Sequence, residues 1–295
     1  MSQDLTTIAL RAAIAANQGT LPSPSDRAAL VSTAPTIDMS ALPALFDQLL
    51  TAPNPTQGLS LLMASPIGVA LLPEVAALDM AQPDRKLHKD NLTHSITVAA
   101  QAQPRLRLRW AALLHDIGKP PTRKIEGTKV TFYNHEQVGR SMARSLLTRL
   151  GYASSFATQV ATLVEISGRT HGFDDTWTDA ALRRFVLDAG DLLDDALDLS
   201  RADCTSARPG RRAQILAQVD AVAARIAQVQ AADARKAVRP ALSGSEIMEI
   251  LDLTPSPAVG RAYRYLLELA LDGAVLDRDE ATARLLEWAA HSELG

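Results

Sequence analysis

Cysteine is nearly absent: Cys204 stands alone, so the chain can build neither an internal disulfide nor a cysteine-rich zinc motif. Aromatic residues make up only 4% of the chain, and Ala and Leu, both strong helix formers, dominate the hydrophobic 47%. No segment approaches the roughly 18 uninterrupted apolar residues of a membrane span. The amino terminus, MSQDLTTIALRAAIAANQG, carries an early Asp4 and no basic stretch ahead of an apolar core, so no signal peptide is expected. A Gly-rich phosphate loop is missing as well. A net charge of −3 excludes a surface wholly given over to gripping nucleic acid, although it leaves room for a local basic stripe. These absences predict a reduced, soluble, cytoplasmic protein with no membrane attachment.

What is present reads as helix. The 295 residues suffice for one large domain or a few small ones. Prolines at 53, 55, 66 and 73 impose turns between short early helices. Before them, SPSDRAAL offers Ser25 or Asp26 as an N-cap. Strand-like alternation is weak everywhere except in TKVTFYN, residues 128–134, and the fold class is all-α. In the segment 208–239, Ile215, Val219, Val222, Ile226 and Val229 fall at spacings of 4, 3, 4 and 3, which gives one long helix a single apolar face. From Arg201 to Arg239 eight Lys/Arg stand against three Asp, a basic segment inside an acidic chain. Later, Ser243 and Glu246 form a Ser-x-x-Glu capping pattern. The Asp277/Asp279 pair reads as the N-cap and first turn of the last helix, where acids are favoured.

Five of the six histidines lie between residues 85 and 205. His94, the His115-Asp116 pair, His135, His171 and Asp203 each lie in or at the end of a segment with apolar helical spacing. Each has an ordinary reading alone: a hydrogen-bonded core histidine, a helix C-cap, a loop residue, an N-cap. Ionisable groups facing a core are costly unless paired or metal-bound, so several in one helical region suggest a shared divalent cation.

The run LTHSITVAAQ, LLHDIGKPPTR, FYNHEQVGR and LSRADCTS resembles the HD superfamily of metal-dependent phosphohydrolases. More specifically it is similar to the neck, body and tail of bacterial CCA-adding tRNA nucleotidyltransferases of the actinobacterial type. WTDAALRRFVLDAGDLLDDALDLSRADCTS and the segment from IMEILDLTPS to LLEWA carry the likeness through most of the chain. It implies an HD-domain helical bundle: a neck-like region over 1–84, the HD metal-binding domain over 85–205, and a long basic helix with a helical tail over 206–295. It also implies that His94, His115, Asp116 and Asp203 hold the metal. His135 and His171 match histidines that line the same cleft and complete a second site in two-metal relatives. The pattern departs at Ser167, where that family usually shows another histidine. The family's nucleotidyl-transfer head needs a strand-rich fold with a Gly-Ser turn and paired aspartates. None of these residues supplies one, so CCA addition by this chain alone is not expected.

The implied chemistry is hydrolysis by metal-activated water, with Asp116 binding metal and orienting the water, and Lys119, Arg123, Arg140 and Arg169 facing phosphate charge. Mn, Mg, Ni, Co, Fe and Zn all suit mixed His/Asp ligation. The expected activity is that of a phosphatase, 2′-nucleotidase or 2′,3′-cyclic phosphodiesterase acting on nucleotides or RNA ends. The alternative is a non-catalytic tRNA- or RNA-binding body that partners a separate nucleotidyltransferase subunit and uses its basic segment on the RNA backbone.

Overall fold

The structure, a computed structural model, describes residues 5–30, 40–80, 90–127, 129–169, 177–206, 209–237, 239–272, 274 and 276–291. It is all-α apart from one two-stranded hairpin. The chain divides into two units, residues 1–224 and 225–295, and the division falls inside the longest helix.

The first unit begins with short helices: α1 (Leu5–Ala16), α2 (Pro24–Leu30), α3 (Leu42–Thr51), α4 (Thr56–Met63), α5 (Pro66–Leu71) and α6 (Pro73–Ala76). Prolines act here as starters, since Pro24, Pro66 and Pro73 each open a helix, where a missing N–H costs nothing. The cap of α2 is Ser23 rather than Ser25 or Asp26. Ser23 Oγ accepts from the Asp26 N–H at 3.2 Å, while Asp26 accepts the Ser23 N–H at 2.8 Å. The proline at N1 shifts the reciprocal cap one turn ahead of the acid. Gly58 lets α4 touch α1, because a Cβ there would lie 2.3 Å from the Ala13 carbonyl oxygen.

Next come α7 (Asn91–Gln101), α8 (Leu106–Leu114), the single-turn α9 (Lys119–Thr122), the antiparallel strands β1 (Lys124–Glu126) and β2 (Lys129–Thr131), α10 (His135–Arg149), α11 (Ser154–Ile166), α12 (Asp179–Ala189) and α13 (Leu193–Ala202). The strand-like sequence near residue 130 is therefore half of a hairpin, turned at Gly127 with φ of 62°. The centre of this unit is α8, which has no polar face: Leu108 through Leu114 are all buried. A helix buried on every side needs neighbours all round. Here α3, α7, α11 and α13 supply them.

Two features lock α8 in place. Arg109 is 2% exposed, and its guanidinium donates to the carbonyls of Leu50, Ala52 and Ala102, tying α8 to the end of α3 and the end of α7. Burial alone pushes its pKa down, yet a guanidinium stays charged. Trp110 packs on Phe46 at 5.2 Å and on Tyr152 at 5.7 Å between centroids, and Tyr152 stacks on Phe156 at 5.0 Å. Much of the small aromatic complement is thus spent on one junction of α3, α8 and α11.

In the last helices, α14 (Pro209–Ala237) buries Val219, Val222, Ile226 and Val229, the face its spacing predicts. In the second unit, α15 (Gly244–Leu251), α16 (Pro257–Leu271) and α17 (Arg278–His291) close on a core of Leu242, Ile247, Ala262, Leu266, Ala281 and Leu285. Ser243 and Glu246 form a complete capping box. Asp277 accepts the Glu280 N–H at 2.8 Å, so this aspartate caps α17. No helix among the described residues is long and apolar enough to cross a membrane.

Replacing Arg109 by Met should lower unfolding stability by about 1–3 kcal/mol for each carbonyl left without a donor; urea denaturation followed by circular dichroism checks this. Tyr152 supplies a pH test. Burial, then its hydrogen bond to Asp47, pushes the phenol well above its ordinary value. A raised phenol pKa stabilises the fold fully below the unfolded value near pH 10 and loses that stabilisation as pH rises further. Melting temperatures of wild type should therefore fall more steeply above about pH 10 than those of Tyr152→Phe.

Candidate metal centre

The site forms where α8 stops. His115 takes the C-cap position just after Leu114, and its Nδ1 donates to the Ala112 carbonyl at 2.8 Å. A carbonyl can only accept, so Nδ1 donates here and Nε2 is the nitrogen that faces the site. That Nε2 lies 3.4 Å from Asp116 Oδ2 and 3.7 Å from Asp203 Oδ1. It is buried and has no hydrogen-bond partner among the described residues. An imidazole nitrogen stranded beside two carboxylates fits a cation better than it fits packing.

His94 comes from α7, whose N-cap Asp90 accepts the Thr93 N–H at 3.1 Å. Its Nε2 is 2.9 Å from Asp203 Oδ1 and 3.9 Å from Asp116 Oδ2, while its Nδ1 meets the Thr205 hydroxyl at 3.1 Å. The His94 and His115 rings stand edge to face, 5.2 Å apart. His94, His115 and Asp116 each offer a ligand atom within 4.8 Å of the others, a set able to hold a metal ion. Asp203 caps the far end of α13, and its N–H bonds to Leu199 O at 2.9 Å.

Asp203 depends on how α13 lies on α8. Asp195, buried on α13, takes Arg105 Nη1 at 3.1 Å and also pairs with Arg107. Asp198, one turn on, pairs with Arg105 and with Arg201, which reaches Asp220 of α14 at 2.9 Å. These alternating charges pin α13 beside the start of α8, and the helix carries Asp203 to the other end.

His135, at the first residue of α10, repeats the local trick of His115: its Nδ1 donates to the carbonyl three residues earlier, Phe132, at 2.9 Å. Its Nε2 lies 4.0 Å from Asp116 Oδ1. Gly118 permits this approach, because a Cβ there would fall 2.0 Å from the His135 carbonyl oxygen, and Gly139 faces Gly118 from the next turn. Lys119 returns to the cleft, with Nζ 2.6 Å from Asp116 Oδ2 and 5.8 Å from the Phe132 ring centre. Burial pushes the Asp116 carboxyl up, but the charges of His115, Lys119 and His94 outweigh it and hold it below the usual carboxylate range.

His94, His115, Asp116, Asp203, Lys119 and His135 thus converge. His171 lies outside the described residues. Arg140 is held by Glu165 at 2.6 Å and Arg169 by Asp188, so either would have to leave a carboxylate to reach a phosphate. Arg123 follows α9, half-buried. Ser167 turns its hydroxyl back to Val164 O at 2.8 Å. Sequence reasoning missed Thr205, since a hydroxyl two residues past an aspartate carries no signal. The close approach at Gly118 has no local signal either.

Residues 91–208 match the family model of the HD domain, and the chain carries that domain. It is 34% identical over 254 residues to the A-adding tRNA nucleotidyltransferase of Deinococcus radiodurans, covering 82% of this chain and 56% of that protein. It is 34% identical over 248 residues to the CC-adding tRNA nucleotidyltransferase of Thermus thermophilus, covering 82% of this chain and 55% of that protein. The chain thus spans just over half the length of these relatives.

The tether on His94 gives a direct test. Thr205→Val keeps the side-chain shape and removes the hydroxyl, so affinity for a divalent cation should fall about 10–100-fold. A chelator competition titration measures it, and unchanged affinity would show that Thr205 does not orient the ring.

Proposed function

We propose that this HD-domain chain is a metal-dependent phosphohydrolase acting on nucleotides or RNA ends. The observation that carries the reading is the shared aim of three imidazoles. Each is tethered through Nδ1 and turns Nε2 toward Asp116 or Asp203, and among the described residues His115 Nε2 is buried without a hydrogen-bond partner. In this reading His94, His115, Asp116 and Asp203 hold the cation. A divalent ion held there supplies hydroxide at neutral pH and draws charge from a phosphoryl oxygen.

The chain's own groups do the rest. Asp116 is kept ionised by its cationic neighbours, so it can accept a hydrogen bond from the attacking water and orient it. Lys119, with a flexible stem and an ammonium at the cleft, neutralises phosphate charge together with Arg123. His135 faces Asp116 Oδ1 from the start of α10 and lines the same cleft. Burial of His115 and Asp116, 4% and 2% exposed, keeps competing water from their inner sides.

A second reading has its own support. The likeness to the two tRNA nucleotidyltransferases extends beyond the HD domain across 82% of this chain. A tRNA-binding body working with a separate nucleotidyltransferase subunit would use the same surfaces without hydrolysis.

Metal analysis of the purified protein, with assays on bis-p-nitrophenyl phosphate and a nucleotide panel, separates the two. The expected result is bound divalent metal and turnover that falls in His115→Ala and Asp116→Ala by more than the ~10–100-fold typical of an outer partner. Metal-free protein with no turnover, yet with salt-sensitive tRNA binding, would favour the second reading.

A further inference from the structure

We propose that a polar groove beside His94 binds the nucleotide flanking the reacting phosphate, so that the substrate is the end of a single-stranded oligonucleotide rather than a free mononucleotide. The inference rests on the phosphohydrolase reading and names its substrate class. The groove encloses about 610 Å³ between α7, the turn leading into α4 and the segment after Asp203. That volume lies within the roughly 300–1,000 Å³ of small-ligand sites. It suits one nucleotide.

The groove begins where the metal centre ends. Thr97 and Gln101, which line it, stand three and seven residues after His94 and so share its side of α7. Thr205 also lines it and is the residue whose hydroxyl meets His94 Nδ1. One edge of the His94 ring therefore faces the carboxylates and the other meets Thr205, a wall of the groove.

The lining specifies the ligand. Asn54, Thr97, Gln101, Thr205 and Arg212 offer amides, hydroxyls and one guanidinium, and no carboxylate is among the described lining residues. Arg212 occupies the first turn of α14, a turn without an acid, and donates to the neutral Gln101 Oε1 at 3.1 Å. A cation near the positive end of a helix dipole is uncompensated and attracts an anion. A bare phosphate would need only that end of the groove. Hydroxyls and amides spread over three segments suit a sugar and base as well.

The test is fluorescence anisotropy on the full chain with a 5′-fluorescein ribotrinucleotide, with adenosine monophosphate as competitor. The trinucleotide should bind at least about ten-fold more tightly than the mononucleotide, and Arg212→Glu should abolish most of that advantage. Thr97→Trp, which fills the groove, should do the same. If circular dichroism shows that Thr97→Trp is misfolded, the exposed Arg212→Glu and Arg212→Ala decide. Equal binding of the two ligands, or equal weakening of both by Arg212→Glu, would overturn the proposal. The two readings fail separately: absent hydrolysis of bis-p-nitrophenyl phosphate by wild type removes the phosphohydrolase, whereas the anisotropy series alone judges the groove.

Discussion

Burial of α8 on every side is the constraint from which the rest follows. A helix whose last seven residues are all buried must be surrounded, so α3, α7, α11 and α13 are drawn to it before any chemistry is considered. Two of those neighbours, α7 and α13, carry His94 and Asp203, while α8 itself ends in His115 and Asp116. Packing around a hydrophobic rod thus delivers the four polar groups to one point. Arg109 belongs to the same logic. A charged side chain is tolerated in the rod because it pays for its burial with carbonyls at the ends of α3 and α7, where helices leave acceptors unused.

The electrostatics run along two separate lines. On one side of α13, arginines and aspartates alternate from Arg107 to Asp220 and fix how the helices lie. At the other end, histidines face aspartates with a single ammonium between them. The first set pairs every arginine with an aspartate and holds structure. The second gathers imidazole nitrogens and carboxylate oxygens into one cluster able to hold a cation.

Much of this was legible in the sequence. Ala- and Leu-rich periodicity gives helices, the valine and isoleucine spacing gives the buried face of α14, and Ser-x-x-Glu gives the α15 cap. The HD pattern named residues that the fold brings together. What could not be read is what depends on distance in space. Thr205 reaches a histidine 111 positions away, and Gly118 matters because the His135 carbonyl comes to lie against it. Neither fact has a local pattern. The cap of α2 was misplaced for a simpler reason: two serines and an aspartate within four residues all suit that role, and Pro24 at N1 decides between them.

The imidazole tethers differ in kind, and the difference sets an order of assembly. His115 and His135 are oriented by carbonyls three positions back, so each finds its pose as soon as its own turn forms. His94 is oriented only when two distant parts of the chain meet, and that meeting carries the entropic cost of closing a long loop. Half of the centre is therefore a property of local windows and the other half a property of the finished topology. The joint between α7 and the segment after α13 is the one part of the constellation that no local turn holds in place.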